Sequence, residues 1–424
     1  MCGIALSTEG YSRVKEMLAS MEHRGPDGTH FARMSNVFLG HNRLAIVEEA
    51  NLEAEQPMLG ANYMAAFNGE IFNYKDLQLG TEIQAVAKLA VEQNQDLPAV
   101  LNGYYAVVTY RSDRNQIVLH RDYFGVMPLF YVVDEHHVEV ASEITAFSPC
   151  DTRNVKVVPA NSKVVIQLGD GNHAKVLRHD SLLRMSQASY VETFQAMLRG
   201  IERCFNHSDR PVSVALSGGL DSSILLAAMK SMDLLPETIV TTFINDVGAS
   251  DRSEVERARA LVKSLGYADR HIVVPVDTSI NVRKFLSTAP NPIRDFAALR
   301  HATVASACPS KVILCGEGLD ELGLGYPLNR EFPTPVERFN KKLSLLKSQA
   351  VMTLDRVNLA GMAYSKEYRV PFLDMNFVQH ALGIDQVGKS VFRQFAKDLG
   401  VPDSIIGAPK YSTEETVGRA AAYR

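Results

Sequence analysis

The stretch Val212-Ser213-Val214-Ala215-Leu216-Ser217-Gly218-Gly219-Leu220-Asp221-Ser222-Ser223-Ile224-Leu225 decides how the chain is read. Alternating and then continuous apolar residues up to Leu216 indicate a buried strand. Ser217, Gly218 and Gly219 follow at once. Asp221, Ser222 and Ser223 then open an apolar run, Ile224 to Met229, of helical character. The expected unit is strand, tight glycine loop, helix N-terminus. Such a loop turns backbone N–H groups and the positive end of a helix dipole towards an anion, and two glycines let the backbone approach a phosphate closely. Asp221 would repel a bare phosphate, so its place in the loop makes sense mainly as a ligand to Mg²⁺. No Gly-Lys-Ser/Thr comes next, which excludes a Walker A loop. An ordinary strand-to-helix turn accounts for a lone Ser-Gly-Gly, but not for the whole run Ser217–Ser223.

Beyond that loop, strands and helices alternate. Thr238–Ile244, His271–Val276 and Lys311–Leu314 read as strands. Asp251–Leu265, stopped by Gly266, and Ala297–Ala307 read as helices, and Ser186–Phe205 has helical periodicity leading into the loop. The alternation predicts a parallel sheet with helices on both faces, whose ligands bind at the carboxyl ends of the strands. Two segments lie there: the glycine loop after Leu216, and Cys315-Gly316-Glu317-Gly318-Leu319-Asp320-Glu321-Leu322-Gly323-Leu324-Gly325-Tyr326. Alone, the second is an acidic solvated turn. Paired with the first, it reads as the other arm of a metal–pyrophosphate site. The first stretch resembles the pyrophosphate loop of the ATP pyrophosphatase superfamily, whose enzymes adenylate an acid or a base and release pyrophosphate.

Length and composition bound the rest. A chain of 424 residues, 46% hydrophobic and with a net charge of -4, reads as a soluble protein of two or three domains. It has no basic excess of the kind that nucleic acid attracts. No apolar run reaches the length of a membrane span, and the N-terminus lacks the plan of a signal peptide. The five cysteines are too scattered for a disulfide framework or a metal cluster, which fits a reducing cytoplasm. Cys150, Cys204, Cys308 and Cys315 read as small buried or partly buried residues.

Cys2 is different. Removal of Met1 would leave a terminal residue carrying both a thiol and a free α-amine. With an ordinary pKa near ~8, that amine can accept the thiol proton. Four further segments accompany Cys2: the turn-rich His23-Arg24-Gly25-Pro26-Asp27-Gly28; Gly40 to Val47, with Arg43 at the start of a strand-like run; Phe67 to Asn73, with Asn68-Gly69 between two apolar strands; and Leu119 to Phe130, which contains Arg121-Asp122. The plain alternatives are a type I′ hairpin turn for Asn68-Gly69, a solvated strand end for Arg43, and a surface ion pair for Arg121-Asp122. Taken together, and ending in Ala141-Ser142-Glu143-Ile144, these segments resemble the class II glutamine amidotransferase domain, an N-terminal-nucleophile hydrolase. The resemblance implies that Cys2 attacks the glutamine side-chain amide. It also implies that Asn68 and the Gly69 N–H stabilise the oxyanion, and that Arg43 clamps the α-carboxylate. Glu82 stands where the family places an Asp for the α-amine, so the carboxylate is kept but is one methylene longer.

Gly316-Glu317-Gly318-Leu319-Asp320-Glu321 followed by Arg369-Val370-Pro371-Phe372-Leu373-Asp374 resembles the glutamine-hydrolysing asparagine synthetases. The implied architecture is an α+β amidotransferase domain of sandwiched antiparallel sheets over residues 2–180. An α/β synthetase domain with a parallel sheet follows over residues 186–424. The implied substrates are glutamine, aspartate and ATP, with Mg²⁺ as cofactor and a homodimer as the assembly. By position, Ser217, Gly218, Gly219, Asp221 and Ser222 would hold pyrophosphate, and Asp221 and Asp320 the Mg²⁺. Leu216 and Gly316 would border the nucleotide. Glu317 would take a proton from the attacking nitrogen, and Lys410 would offset phosphate charge. Arg294, Lys389 and Arg393 are weaker matches near the same pocket. Leu319 and Cys315 stand where the family has Ser, and fewer residues follow Lys410 than in typical members. The rival readings are the same chemistry on another carboxylic acid, a β-lactam-forming relative, and a non-catalytic homologue.

Overall fold

Residues 1–148, 154–243, 249–277, 280, 296–325, 332–349 and 353–408 are described in the computed structural model of the chain. The chain forms two units. One comprises Met1–Leu182 and takes in Gln349–Ser365 from far down the sequence; the other holds most of the chain from Leu183 onward.

In the first unit two six-stranded antiparallel sheets form. One has the order Lys156–Val157, Phe130–Val133, Val138–Ala141, Gly3–Ser7, Val37–Arg43, Gly28–Met34; the other runs His173–Arg178, Ser162–Gln167, Gln116–Arg121, Gly103–Arg111, Tyr63–Ile71, Met58–Leu59. Three strands at one end of the first sheet, Gly3–Ser7 among them, pack on Tyr63–Ile71 of the second. The helix Tyr11–Ser20 covers the first sheet with Val14, Met17 and Leu18 against Ala5, Phe130 and Val132. Glu82–Ala87 covers the second with Ile83 and Val86 against Phe67, Tyr105 and Val107. Both faces of the central strands are therefore dry, which is why those strands read as near-continuous apolar runs. The strand that begins just after Cys2 lies between two partners, with Gly3 opposite Asn42 and Ala5 opposite Ala141. A chain terminus, ordinarily mobile, is thereby held inside a sheet.

The structure decides three local points. Asn68-Gly69 is not a hairpin turn between two strands: both residues lie within the single strand Tyr63–Ile71, opposite Ala106 and Tyr105. Glycine is required there for a different reason. Its φ is +131°, and a Cβ would sit 1.8 Å from the Tyr104 carbonyl oxygen. Arg43 ends the strand Val37–Arg43 rather than starting one, because the chain leaves the sheet as Asp27 captures the Ala45 N–H at 2.7 Å. Arg121 and Asp122 are buried, not a surface pair. Arg121 donates to the carbonyls of Met127, Val158 and Gly125, and Asp122 accepts the N–H groups of Phe124, Val126 and Met127.

The second unit has the expected parallel sheet, in the order His271–Pro275, Ile239–Phe243, Val212–Ala215, Val312–Leu314, Glu367–Arg369. Tyr190–Asn206, Leu220–Ser231, Ala249–Ser264 and Phe296–Ala307 form the expected helices. The chain runs outward from Val212–Ala215 on one side and returns to its other side with Val312–Leu314. That reversal of strand order opens a crevice at the carboxyl ends of those two strands. The glycine loop follows one of them and the acidic loop follows the other. Among the described residues no helix is long and apolar enough to cross a membrane.

Candidate active sites

The amino-terminal site is built around Cys2. Its backbone N donates to Asn68 Oδ1 at 2.6 Å, and its Sγ receives the Leu44 N–H at 3.4 Å. Arg24, fully buried, donates its Nε to the Cys2 carbonyl at 3.0 Å and its Nη1 to Glu143 at 2.7 Å. His23 Nε2 reaches the same carboxylate at 3.1 Å. Burial alone would raise the Glu143 carboxyl, but the His23 hydrogen bond and the Arg24 charge pull it down to about 2. Arg24, which holds the Cys2 carbonyl, is thus anchored by a fixed ion pair. Gly25 makes this possible: a Cβ there would meet the Asn42 backbone at 2.4 Å, so only glycine lets the His23–Gly28 turn lie this close.

In front of Cys2 is a cleft of about 430 Å³, counting its open mouth, lined by Arg43, Glu48, Gly69, Glu70 and Glu82 among others. Arg43 is steadied by the Glu48 carbonyl at 2.7 Å. Glu82 opens a helix whose N-cap, Thr81, forms a capping box with Gln84. Its Oε1 accepts the Ile71 N–H at 2.7 Å, while Gln56 Oε1 accepts that of Phe67 at 2.6 Å. Alternate N–H groups of a strand point the same way. The Gly69 N–H, midway between those of Phe67 and Ile71, therefore faces the same edge. Asn68 Nδ2 is buried and has no partner among the described residues, which leaves a donor to spare beside the thiol. His41 lines the cleft too. Burial first, then the Arg43 charge, lowers it to about 3, so it is a neutral wall.

The second site lies at the crevice of the parallel sheet. Gly218 has φ +77°, and a Cβ there would sit 2.1 Å from the Glu254 carbonyl oxygen. Ser222 Oγ accepts the Ser217 N–H at 3.1 Å and pairs with Ser217 Oγ at 3.0 Å; Ser217 Oγ in turn accepts the Gly219 N–H at 3.2 Å. These bonds hold the loop curled. Arg257 holds it from outside, donating Nε to the Gly218 carbonyl at 3.1 Å. The acidic loop approaches closely. A Cβ on Gly316 would lie 2.9 Å from the Ser222 N, so the glycine brings Leu319–Leu322 against the start of Leu220–Ser231. Leu319 is fully buried and Glu317 lies 3.5 Å from His301 Nε2. Asp221 and Asp320 meet at one point, the Lys389 ammonium. It is 2.6 and 2.7 Å from the Asp221 oxygens and 2.5 Å from Asp320 Oδ1.

The sequence pattern points to the residues at both sites, but not to all that hold them. Arg24 and Glu143 fall within its telling segments without a role, and nothing in it singles out His41, His301 or Arg257. Lys389 is only a weak match by pattern, whereas the fold sets it between the two aspartates. Arg393 sits on the following helix, its Nε 3.4 Å from the Gly388 carbonyl. Arg294 and Lys410 lie outside the described residues, as does Cys150. Cys204, Cys308 and Cys315 are buried thiols.

Comparison with known proteins finds two families in the chain. Residues 1–168 match the family described as glutamine amidotransferase domain, and residues 195–349 and 333–423 match that described as asparagine synthase, over half the chain. The chain is 28% identical over 414 residues to asparagine synthetase B [glutamine-hydrolyzing] of Escherichia coli (strain K12), covering 88% of this chain and 72% of that one. It is 26% identical over 457 residues to a probable asparagine synthetase [glutamine-hydrolyzing] of Acanthamoeba polyphaga mimivirus, covering 94% and 81%. A Saccharomyces cerevisiae asparagine synthetase [glutamine-hydrolyzing] 1 is 25% identical over 496 residues, covering 99% and 83%.

Proposed function

The chain belongs to the asparagine synthase family, and from that membership we propose that it converts aspartate to asparagine with ATP, drawing ammonia from glutamine and releasing AMP and pyrophosphate. The division of labour follows the two sites, with a glutaminase domain over residues 2–180 and a synthetase domain over residues 186–424.

At the first site the Cys2 thiol attacks the glutamine side-chain carbonyl, ammonia leaves, and water releases glutamate from the thioester. The Cys2 α-amine, freed when Met1 is removed, takes the thiol proton; Asn68 Oδ1 already holds that nitrogen at 2.6 Å. The spare Nδ2 of Asn68 and the Gly69 N–H stabilise the oxyanion. Arg43 binds the α-carboxylate and Glu82 the α-amine.

At the second site Ser217, Gly218, Gly219 and Ser222 cradle the β- and γ-phosphates, with Leu216 and Gly316 beside the adenosine and α-phosphate. Asp221 and Asp320 are hard oxygen donors that converge on one positive point, a donor set that fits Mg²⁺. When bound, the ion offsets phosphate charge. Aspartate attacks the α-phosphate, ammonia displaces AMP from the acyl phosphate, and Glu317 takes the surplus proton from the attacking nitrogen. Lys410 adds positive charge during adenylation.

The convergence of Asp221 and Asp320 at the carboxyl ends of neighbouring strands carries this reading, because it distinguishes a synthetase from a simple amidase. Its test separates the half-reactions. Cys2→Ala is expected to lose glutamine-dependent asparagine formation and keep the ammonia-dependent reaction. Pyrophosphate release should depend on aspartate across a panel of carboxylic acids. Release with a different acid moves the assignment to that acceptor, and no acid-dependent release removes the synthetase reading altogether.

A further inference from the structure

Lys389 is held by more than its two ion pairs. Its side chain is almost fully buried. Its backbone stands in the left-handed region at φ 62°, at the N-cap of the helix Ser390–Asp398, and its N–H donates to the Gly323 carbonyl at 2.8 Å. The side chain passes through a slot that two glycines keep open. A Cβ on Gly323 would lie 2.7 Å from Lys389 Cγ, and one on Gly325 would lie 2.5 Å from Cε and 2.3 Å from Asp320 Oδ1. The helix carrying Lys389 packs on Leu220–Ser231, which carries Asp221 in its first turn. Four features of the fold therefore aim one ammonium at the two carboxylates. Without a cation between them, these partly buried acids would repel across a medium that screens poorly.

We propose that Lys389 is a tethered stand-in for the metal: it neutralises and spaces Asp221 and Asp320 while the site is empty of Mg²⁺, and gives the carboxylates up when the ion arrives. The inference rests on the reading that these two aspartates hold Mg²⁺. A divalent ion alone must compete with an ammonium already in place and bound to the chain. An ion arriving with a nucleotide does not face the same contest, because the phosphates supply further ligands and a second partner for the lysine. The device thus makes binding of the metal alone weak and binding with nucleotide tight.

Mn²⁺ is a suitable probe, followed by electron paramagnetic resonance on the full chain with and without α,β-methylene-ATP. Wild type is expected to bind Mn²⁺ weakly alone. Lys389→Met is expected to bind it at least about tenfold more tightly without nucleotide, the equivalent of one lost ion-pair contact. The gap should close when nucleotide is present. Equal Mn²⁺ affinity in wild type and Lys389→Met, with Asp221→Asn still abolishing nucleotide-dependent binding, overturns the stand-in and leaves the metal assignment untouched. If Asp221→Asn and Asp320→Asn both bind Mn²⁺–nucleotide as wild type does, the metal assignment itself falls. A second readout needs no variant. Acetylation of Lys389 by an activated ester, measured by peptide mass spectrometry in wild type, should rise several-fold on adding excess Mg²⁺ alone. An unchanged rate overturns the proposal.

Discussion

Glu143 shows what a single side chain contributes. Its folded pKa of about 2 lies below its ordinary 4.5. A depressed carboxyl pKa stabilises the fold above the unfolded value and loses that contribution as pH falls through the folded one. Wild type should therefore lose up to about 3 kcal/mol between pH 4.5 and 2 from this group. Urea unfolding at a series of pH values should show this component missing in Glu143→Gln. At pH 7 that variant should be the less stable protein, because Arg24 is left buried beside a neutral partner. Gly69 makes a second test. Gly69→Ala would set a methyl 1.8 Å from a carbonyl oxygen at a φ that alanine avoids. It should cost more than about 3 kcal/mol and abolish glutamine hydrolysis, whereas Asn68→Ala should fold and lose chiefly kcat.

Elements position these residues by their ends. The helix Glu82–Ala87 begins at a capping box, and that cap sets where the Glu82 carboxylate stands. Thr81→Ala should cost about 1 kcal/mol of stability. On the proposed roles it should also raise KM for glutamine with kcat little changed, since it loosens Glu82 and leaves Cys2 in place. The glycine loop is the corresponding device in the second unit. Ser222→Ala removes the acceptor for the Ser217 N–H and should raise KM for ATP in ammonia-dependent synthesis, while the glutaminase rate stays at the wild-type value. An unaltered KM for ATP would mean that the loop does not need its internal bonds to receive phosphate.

At the scale of the whole molecule the chain doubles back. The helix Asp355–Met362 belongs with the amino-terminal unit, although nearly two hundred residues of sequence separate it from that unit's last strand. Asp355 pairs with buried Arg121 at 2.9 Å, and Asn358 with Arg24 at 3.2 Å. Asp355→Ala leaves the Arg121 guanidinium hydrogen-bonded to carbonyls alone, without its carboxylate partner. It should lower stability by about 3 kcal/mol, read as a fall in Tm of several degrees. The helix thus forms part of the support behind Cys2, a dependence that domain boundaries drawn from sequence do not reveal.

Much of this protein is decided locally. The parallel sheet, the glycine loop and the acidic loop are legible because periodicity and loop chemistry act over a few neighbouring residues. Cys2, Arg43, Asn68 and Glu82 were reachable only through the order of several segments. That Asn68-Gly69 lies inside one strand and not between two is not legible, because a dipeptide does not record what lies across the strand. Packing alone decided that Arg24 and Glu143 anchor Cys2, and that Lys389 stands between aspartates from two distant loops. Those pairings join residues remote in sequence, and their energy arises only when burial removes the water that would otherwise separate the charges.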